Sequence, residues 1–137
     1  MICEILCVGT EILLGDIVNT DAAFIARELA SLGFASYHQS VVGDNPARLR
    51  AAIDEGLRRS DVLIITGDAG FVWDETYPKT IATLEQTFPG TTVFVDGNHE
   101  NFDLLDALPT CSWHGGRVGC LPGRKNIVHL MRGQVYE

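Results

Sequence analysis

Asp68, Asn98 and His99 are the residues whose types and positions best suit chemistry, Asp68 closing the run Ile65-Thr66-Gly67-Asp68 and the other two lying within Asp96-Gly97-Asn98-His99-Glu100-Asn101. A carboxylate, an amide oxygen and an imidazole are groups that hold a divalent cation such as Mn²⁺ or Mg²⁺, with water completing the shell. Glu11, Asp16 and Asp74 add carboxylates where loops converge. Two-metal phosphoester chemistry needs about six or more ligands around ions roughly 3.5–4 Å apart. The sequence supplies too few, so a single Mn²⁺ or Mg²⁺ is the expected metal. The plainer alternative is that Asp68 and Asn98 cap loops and adjoining helices.

Other positions carry weaker signals. Gly9-Thr10, Gly15 and Gly43 fall where glycine-rich turns at strand ends expose N–H groups to a phosphate, although glycine also serves turn geometry alone. Trp73 and Trp113 could stack on a flat ring or simply pack. His38, His114 and His129 lack motif neighbours and read as structural or surface residues.

The elements that position these residues follow a βαβ rhythm. Residues 2–8 form an apolar run closed by Gly9, suited to a strand buried on both faces, and a loop follows. Asn19, Thr20 and Asp21 open a helix carrying Phe24, Ile25, Leu29 and Leu32, ended by Gly33. Residues 35–42 read as a strand, Asn45-Pro46 as the start of a helix carrying Leu49, Ile53 and Leu57, and 62–66 as a buried central strand. A helix at 78–87, a strand at 92–96 and a short helix at 101–107 continue the pattern. The two apolar stretches 127–131 and 134–136, split by Arg132-Gly133, predict a hairpin. The expectation is one domain over 1–137: a three-layer α/β fold, its sheet mainly parallel, with helices on both faces and a C-terminal β-hairpin. In such sheets ligands bind at the carboxyl ends of the strands, which singles out the loops 9–20, 67–77 and 97–101.

Composition narrows the class. The chain has 137 residues, is 46% apolar and carries 18 acidic against 10 basic residues, a net charge of −8. That balance disfavours nucleic acid and anionic membranes as partners. No apolar run approaches the ~20 residues of a membrane span, and the first strand-like segment lacks the features of a secretory signal, so a cytoplasmic location is expected. In that setting Cys3, Cys7, Cys111 and Cys120 are expected as reduced thiols. Cys3 and Cys7 in particular cannot pair, being four residues apart in one extended segment. A homo-oligomer is compatible with this composition.

The segments CEILCVGTEILLGDIVNT at 3–20 and QSVVGDNP at 39–46 resemble the N-terminal molybdopterin-binding-like domain of the competence/damage-inducible CinA family, which is related to MoaB and MogA. The resemblance covers 1–67. It implies an α/β domain with a pterin- or nucleotide-like pocket and an associated metal-dependent pyrophosphatase activity, and it marks Thr10, Glu11, Asp16 and Asp74 as ligand-binding positions. The family's later G-G-x-G-P-T-x-D-D loop reads here Gly67-Asp68-Ala69-Gly70-Phe71-Val72-Trp73-Asp74-Glu75, keeping Gly67, Gly70 and Asp74 but replacing Pro-Thr by Phe-Val.

From residue 61 onward the motifs ITGD at 65–68 and DGNHEN at 96–101 resemble the calcineurin-like metallophosphoesterases. That resemblance implies Asp68 as a metal-bridging ligand, Asn98 as a ligand and His99 as the catalytic residue, an acid or a transition-state stabiliser. The family's opening Asp-x-His and closing histidines have no counterpart. The resulting expectation is a hybrid joined within 61–68, acting as a metal-dependent phosphoester or pyrophosphate hydrolase with an incomplete site and weak or no turnover on a small phosphorylated molecule or nucleotide. Two alternatives are a non-catalytic molybdopterin- or nucleotide-binding module and an inactive structural chimera.

Overall fold

A computed structural model describes residues 1–87 and 90–137. The described residues form seven strands and five helices in the order β1 (Cys3–Val8), α1 (Thr10–Leu14), α2 (Thr20–Ser31), β2 (Gln39–Val42), α3 (Pro46–Arg59), β3 (Val62–Gly67), α4 (Tyr77–Thr87), β4 (Thr91–Phe94), α5 (Phe102–Asp106), β5 (Thr110–Trp113), β6 (Gly116–Cys120) and β7 (Ile127–Leu130). They build one sheet in the order β2-β1-β3-β4-β7-β6-β5. The first five strands of that order run parallel, while β6 pairs antiparallel with both β7 and β5. The expected α/β architecture is therefore present.

β3 sits between β1 and β4, in register Ile5↔Ile64 and Ile64↔Val93. Its side chains alternate between two covered faces. Leu63 and Ile65, both fully buried, join Leu6, Val8, Ile53 and Leu57 on the face that α3, α4 and α5 cover. On the opposite face Ile5 and Cys7 pack against Ala22, Ile25 and Leu29 of α2. Farther along that face Val93, Val118 and Val128 are covered by Trp113 and Tyr136. Helix starts follow their capping residues: Asn19 Oδ1 accepts from Ala22 N at 3.2 Å, and Asn45 Oδ1 from Arg48 N at 3.0 Å. Glu4 is the one buried acid in β1; both its oxygens accept from Arg59, at 2.7 and 2.6 Å, which fixes α3 to the sheet.

Four expectations change. The segment after β1 is not a plain loop, because Thr10–Leu14 winds into the single turn and a half of α1 before Gly15 stops it at φ 81°. Of the apolar repeat expected on this helix, Phe24 and Leu32 are exposed, and α2 buries Ala22. The hairpin is β5–β6, turning through His114 at φ 44° and Gly115 at φ 79°, a two-residue connection with both central angles positive. Residues 134–136 form no strand, because β7 already has a neighbour on each side; instead Tyr136 Oη donates to Arg117 O at 3.0 Å and accepts from Met131 N. Finally, Cys111 and Cys120 form a disulfide across the hairpin, their Cα atoms 6.1 Å apart, whereas Cys3 and Cys7 are free as expected.

Candidate functional site

The parallel pairing of β1, β3 and β4 gathers their carboxyl ends, and a cleft of about 710 Å³ opens there. One wall is the start of α3, with Asn45, Arg50 and Ile53; the other is the segment after β3, with Asp68, Phe71, Trp73, Asp74 and Tyr77. His99 reaches it from the loop after β4. Trp73 is more than half exposed, which an aromatic lining an open cleft can be and a core aromatic cannot.

Asp68 is the pivot of this cleft. Its Oδ1 accepts the His99 backbone N–H at 2.9 Å, and its Oδ2 lies 3.2 Å from His99 Nδ1. Gly67, at φ 92°, has no room for a side chain against the Val8 backbone, and a side chain at Gly97 would strike Asp68, whose backbone N would stand 2.7 Å from a Cβ there. The glycine in DGNHEN thus answers to the close passage of two strand-end loops. Glu100 binds the same loop from behind, Oε1 accepting from Gly70 N at 3.1 Å. Burial holds the Glu100 carboxyl above the usual range, the Gly70 and Ala69 N–H groups opposing and the Asp68 and Asp96 charges adding to the rise. Asp74 is pulled the other way, below its usual range, by the side-chain and backbone donors of Thr76.

The remaining singled-out residues stand apart from the cleft lining. Thr10 Oγ1 donates to Asp44 Oδ2 at 2.7 Å and its N–H points to the same oxygen at 3.3 Å, so its donors are used within the chain. Asp44 itself lines the cleft. Glu11 lies beside Gly9, and Asp16 is exposed just beyond α1. Asn98 lies beside the His99 ring, Nδ2 at 3.3 Å from Nδ1. Among the described residues no group of three or more His, Cys, Asp or Glu side chains is arranged to hold a metal ion. No helix among them is long and apolar enough to cross a membrane.

A mainly parallel sheet with a cleft at its carboxyl edge places the chain in the open-sheet α/β class. The chain belongs to the family described as the probable molybdopterin binding domain, whose model matches residues 4–136. It is similar to a putative competence-damage inducible protein of Clostridium kluyveri, 60% identical over 77 residues that make up 56% of this chain and 19% of that protein. A CinA-like protein of Crocosphaera subtropica is 54% identical over 82 residues, 60% of this chain and 20% of that protein. The solved structure of CinA from Thermoplasma acidophilum, titled as of unknown function, matches with a TM-score of 0.52 and 31% identity over 61% of this chain and 51% of that one. The chain spans about a fifth of the length of the curated relatives it matches.

These matches overturn the hydrolase reading. One family runs without a break through both ITGD and DGNHEN, leaving no metallophosphoesterase segment beginning at 61–68. The physical reason for the false signal is that both motifs are ends of adjacent parallel strands, β3 and β4, where glycine and a capping acid are needed for loop packing whatever the chemistry. Asp68 serves the His99 backbone, and the metal and acid roles expected of Asp68, Asn98 and His99 rest on that resemblance alone.

Proposed function

We propose that this chain is a binding module for a molybdopterin-type ligand, seated in the cleft between α3 and the segment 67–77. The observation that carries the reading is the cleft itself, formed at the carboxyl strand ends of a chain in the molybdopterin-binding family. Its chemistry fits a pterin. The amino-pyrimidinone edge of such a ring is rich in N–H donors, and Asp68 and Asp74 offer carboxylate acceptors. Trp73 and Tyr77 offer faces to stack on. A phosphate on the ligand's tail would meet the N-terminal end of α3, fourteen residues long, with Arg50 one turn in.

The test is a fluorescence titration with neopterin monophosphate as the stable probe and ADP as the competing chemistry. A saturable change in the pterin's own emission, abolished in Asp68→Ala and weakened in Trp73→Leu, supports the reading. Saturation by ADP alone makes the cleft a nucleotide site, and binding of neither overturns the proposal.

A further inference from the structure

Arg132, just beyond β7, makes three contacts through its guanidinium group. Its Nη2 lies 2.6 Å from Asp96 Oδ2 and donates to Gly97 O at 3.0 Å, while its guanidinium carbon stands 5.6 Å from the centre of the Phe102 ring. The second Asp96 oxygen lies 2.9 Å from His129 Nε2. A carboxylate, a carbonyl and an aromatic face around one planar cation make up a guanidinium receptor.

Burial is unequal within this pair. The Asp96 side chain is 5% exposed and that of Arg132 is 64% exposed. A buried carboxylate needs a cation near it, whereas an arginine in water loses little by leaving. Beside the contact lies a cavity of about 250 Å³ between α5 and the strands β6 and β7, its apolar part formed by Leu105, Leu108 and Met131 and its second acid by Asp106. Apart from His129, the ionisable side chains lining it are Asp96, Asp106 and Arg132, two acids and one base. Without Arg132 the lining would hold the two acids with His129 as its remaining basic side chain.

We propose that this cavity is a binding site for a small alkylguanidine, whose cationic head takes the place of Arg132 at Asp96 and whose alkyl body lies on Leu105, Leu108 and Met131. Arg132 is the built-in occupant that keeps the buried acid neutralised when the ligand is absent. None of Asp96, Phe102, Asp106 and Arg132 lines the pterin cleft, so this site stands or falls independently of that reading.

Agmatine is the probe, followed by NMR at the Arg132 Nε–H and the His129 ring in the full chain. In the unaltered protein both signals shift saturably. Arg132→Ala binds agmatine about tenfold or more tightly, because the site no longer has an internal competitor and its competent fraction rises; agmatine also restores the melting temperature that this variant loses. Asp96→Asn abolishes both effects. If Arg132→Ala does not fold, Arg132→Lys takes its place, keeping the charge but lacking the planar fork, and it too binds agmatine more tightly than the parent. No saturable shift in the unaltered protein, equal affinity in parent and variant, or shifts confined to Trp73 and Tyr77 would each overturn the proposal.

Discussion

Asp68 and His99 hold the loops after β3 and β4 together through two contacts, backbone N–H to Oδ1 at 2.9 Å and ring Nδ1 to Oδ2 at 3.2 Å. The two contacts differ in worth. The backbone bond is charge-assisted and its acceptor is largely buried, whereas the ring is 76% exposed and its pairing is screened by water. Asp68→Ala therefore costs about 1.5–3 kcal/mol, the range for a hydrogen bond to a charged group, and His99→Ala costs under about 1 kcal/mol. Urea unfolding of the two variants measures the difference. Equal losses would show that the imidazole, and not the backbone bond, ties the loops.

The core prediction concerns β3. Leu63 and Ile65 are fully buried and face α3, α4 and α5, so truncation leaves a cavity that flanking elements cannot close without moving the sheet. Each change to Ala is expected to cost about 2–5 kcal/mol. Thermal unfolding checks it, and a loss under about 1 kcal/mol at both sites would mean that the sheet centre lies elsewhere.

The fate of β3 was legible because an unbroken apolar run ending in glycine has few other solutions, and Asn19 and Asn45-Pro46 announce α2 and α3 through local bonds that need no tertiary context. α1 was hidden for the opposite reason: five residues bury no side chain and have no side-chain cap. The hairpin was misplaced because Arg132-Gly133 and His114-Gly115 look alike as turns; what separates them is that β7 is already paired on both edges, a property of the sheet and not of the turn. The cleft was partly readable, since the loops carrying Asp68, Asp74 and His99 end adjacent strands. The setting of Asp96 was not, because its partners His129 and Arg132 come from the far side of the hairpin.

That misplaced hairpin also concealed the cysteine pairing. With β5 and β6 in register Cys111↔Val118, Cys120 falls two residues beyond, still within reach across the ladder. Thiol titration of the denatured, unreduced chain should find two free thiols, Cys3 and Cys7, and four after reduction. Closing a loop of nine residues restricts the unfolded chain, so reduction is expected to lower stability by about 2–3 kcal/mol. Four thiols before reduction would remove the bridge.

Glu100 supplies the pH dependence. Its carboxyl is held above the usual range, chiefly by burial, so the folded chain binds this proton more tightly than the unfolded chain does. The sign follows from linkage: with the folded value raised, ionised Glu100 disfavours the fold at neutral pH, and that penalty is relieved as pH falls through the raised value toward the ordinary one. Glu100→Gln removes the charge and keeps an oxygen for the Gly70 N–H, so it should be more stable than the parent at pH 7. Its advantage should shrink to nothing once the pH is below the ordinary glutamate range, where the parent is protonated in both states. Glu100→Ala, which strands the Gly70 N–H, should instead lose about 1 kcal/mol or more. Urea midpoints of the three proteins across the acid range make the comparison, and an advantage of Glu100→Gln that grows on acidification would show that the carboxylate stabilises the loop in its charged form.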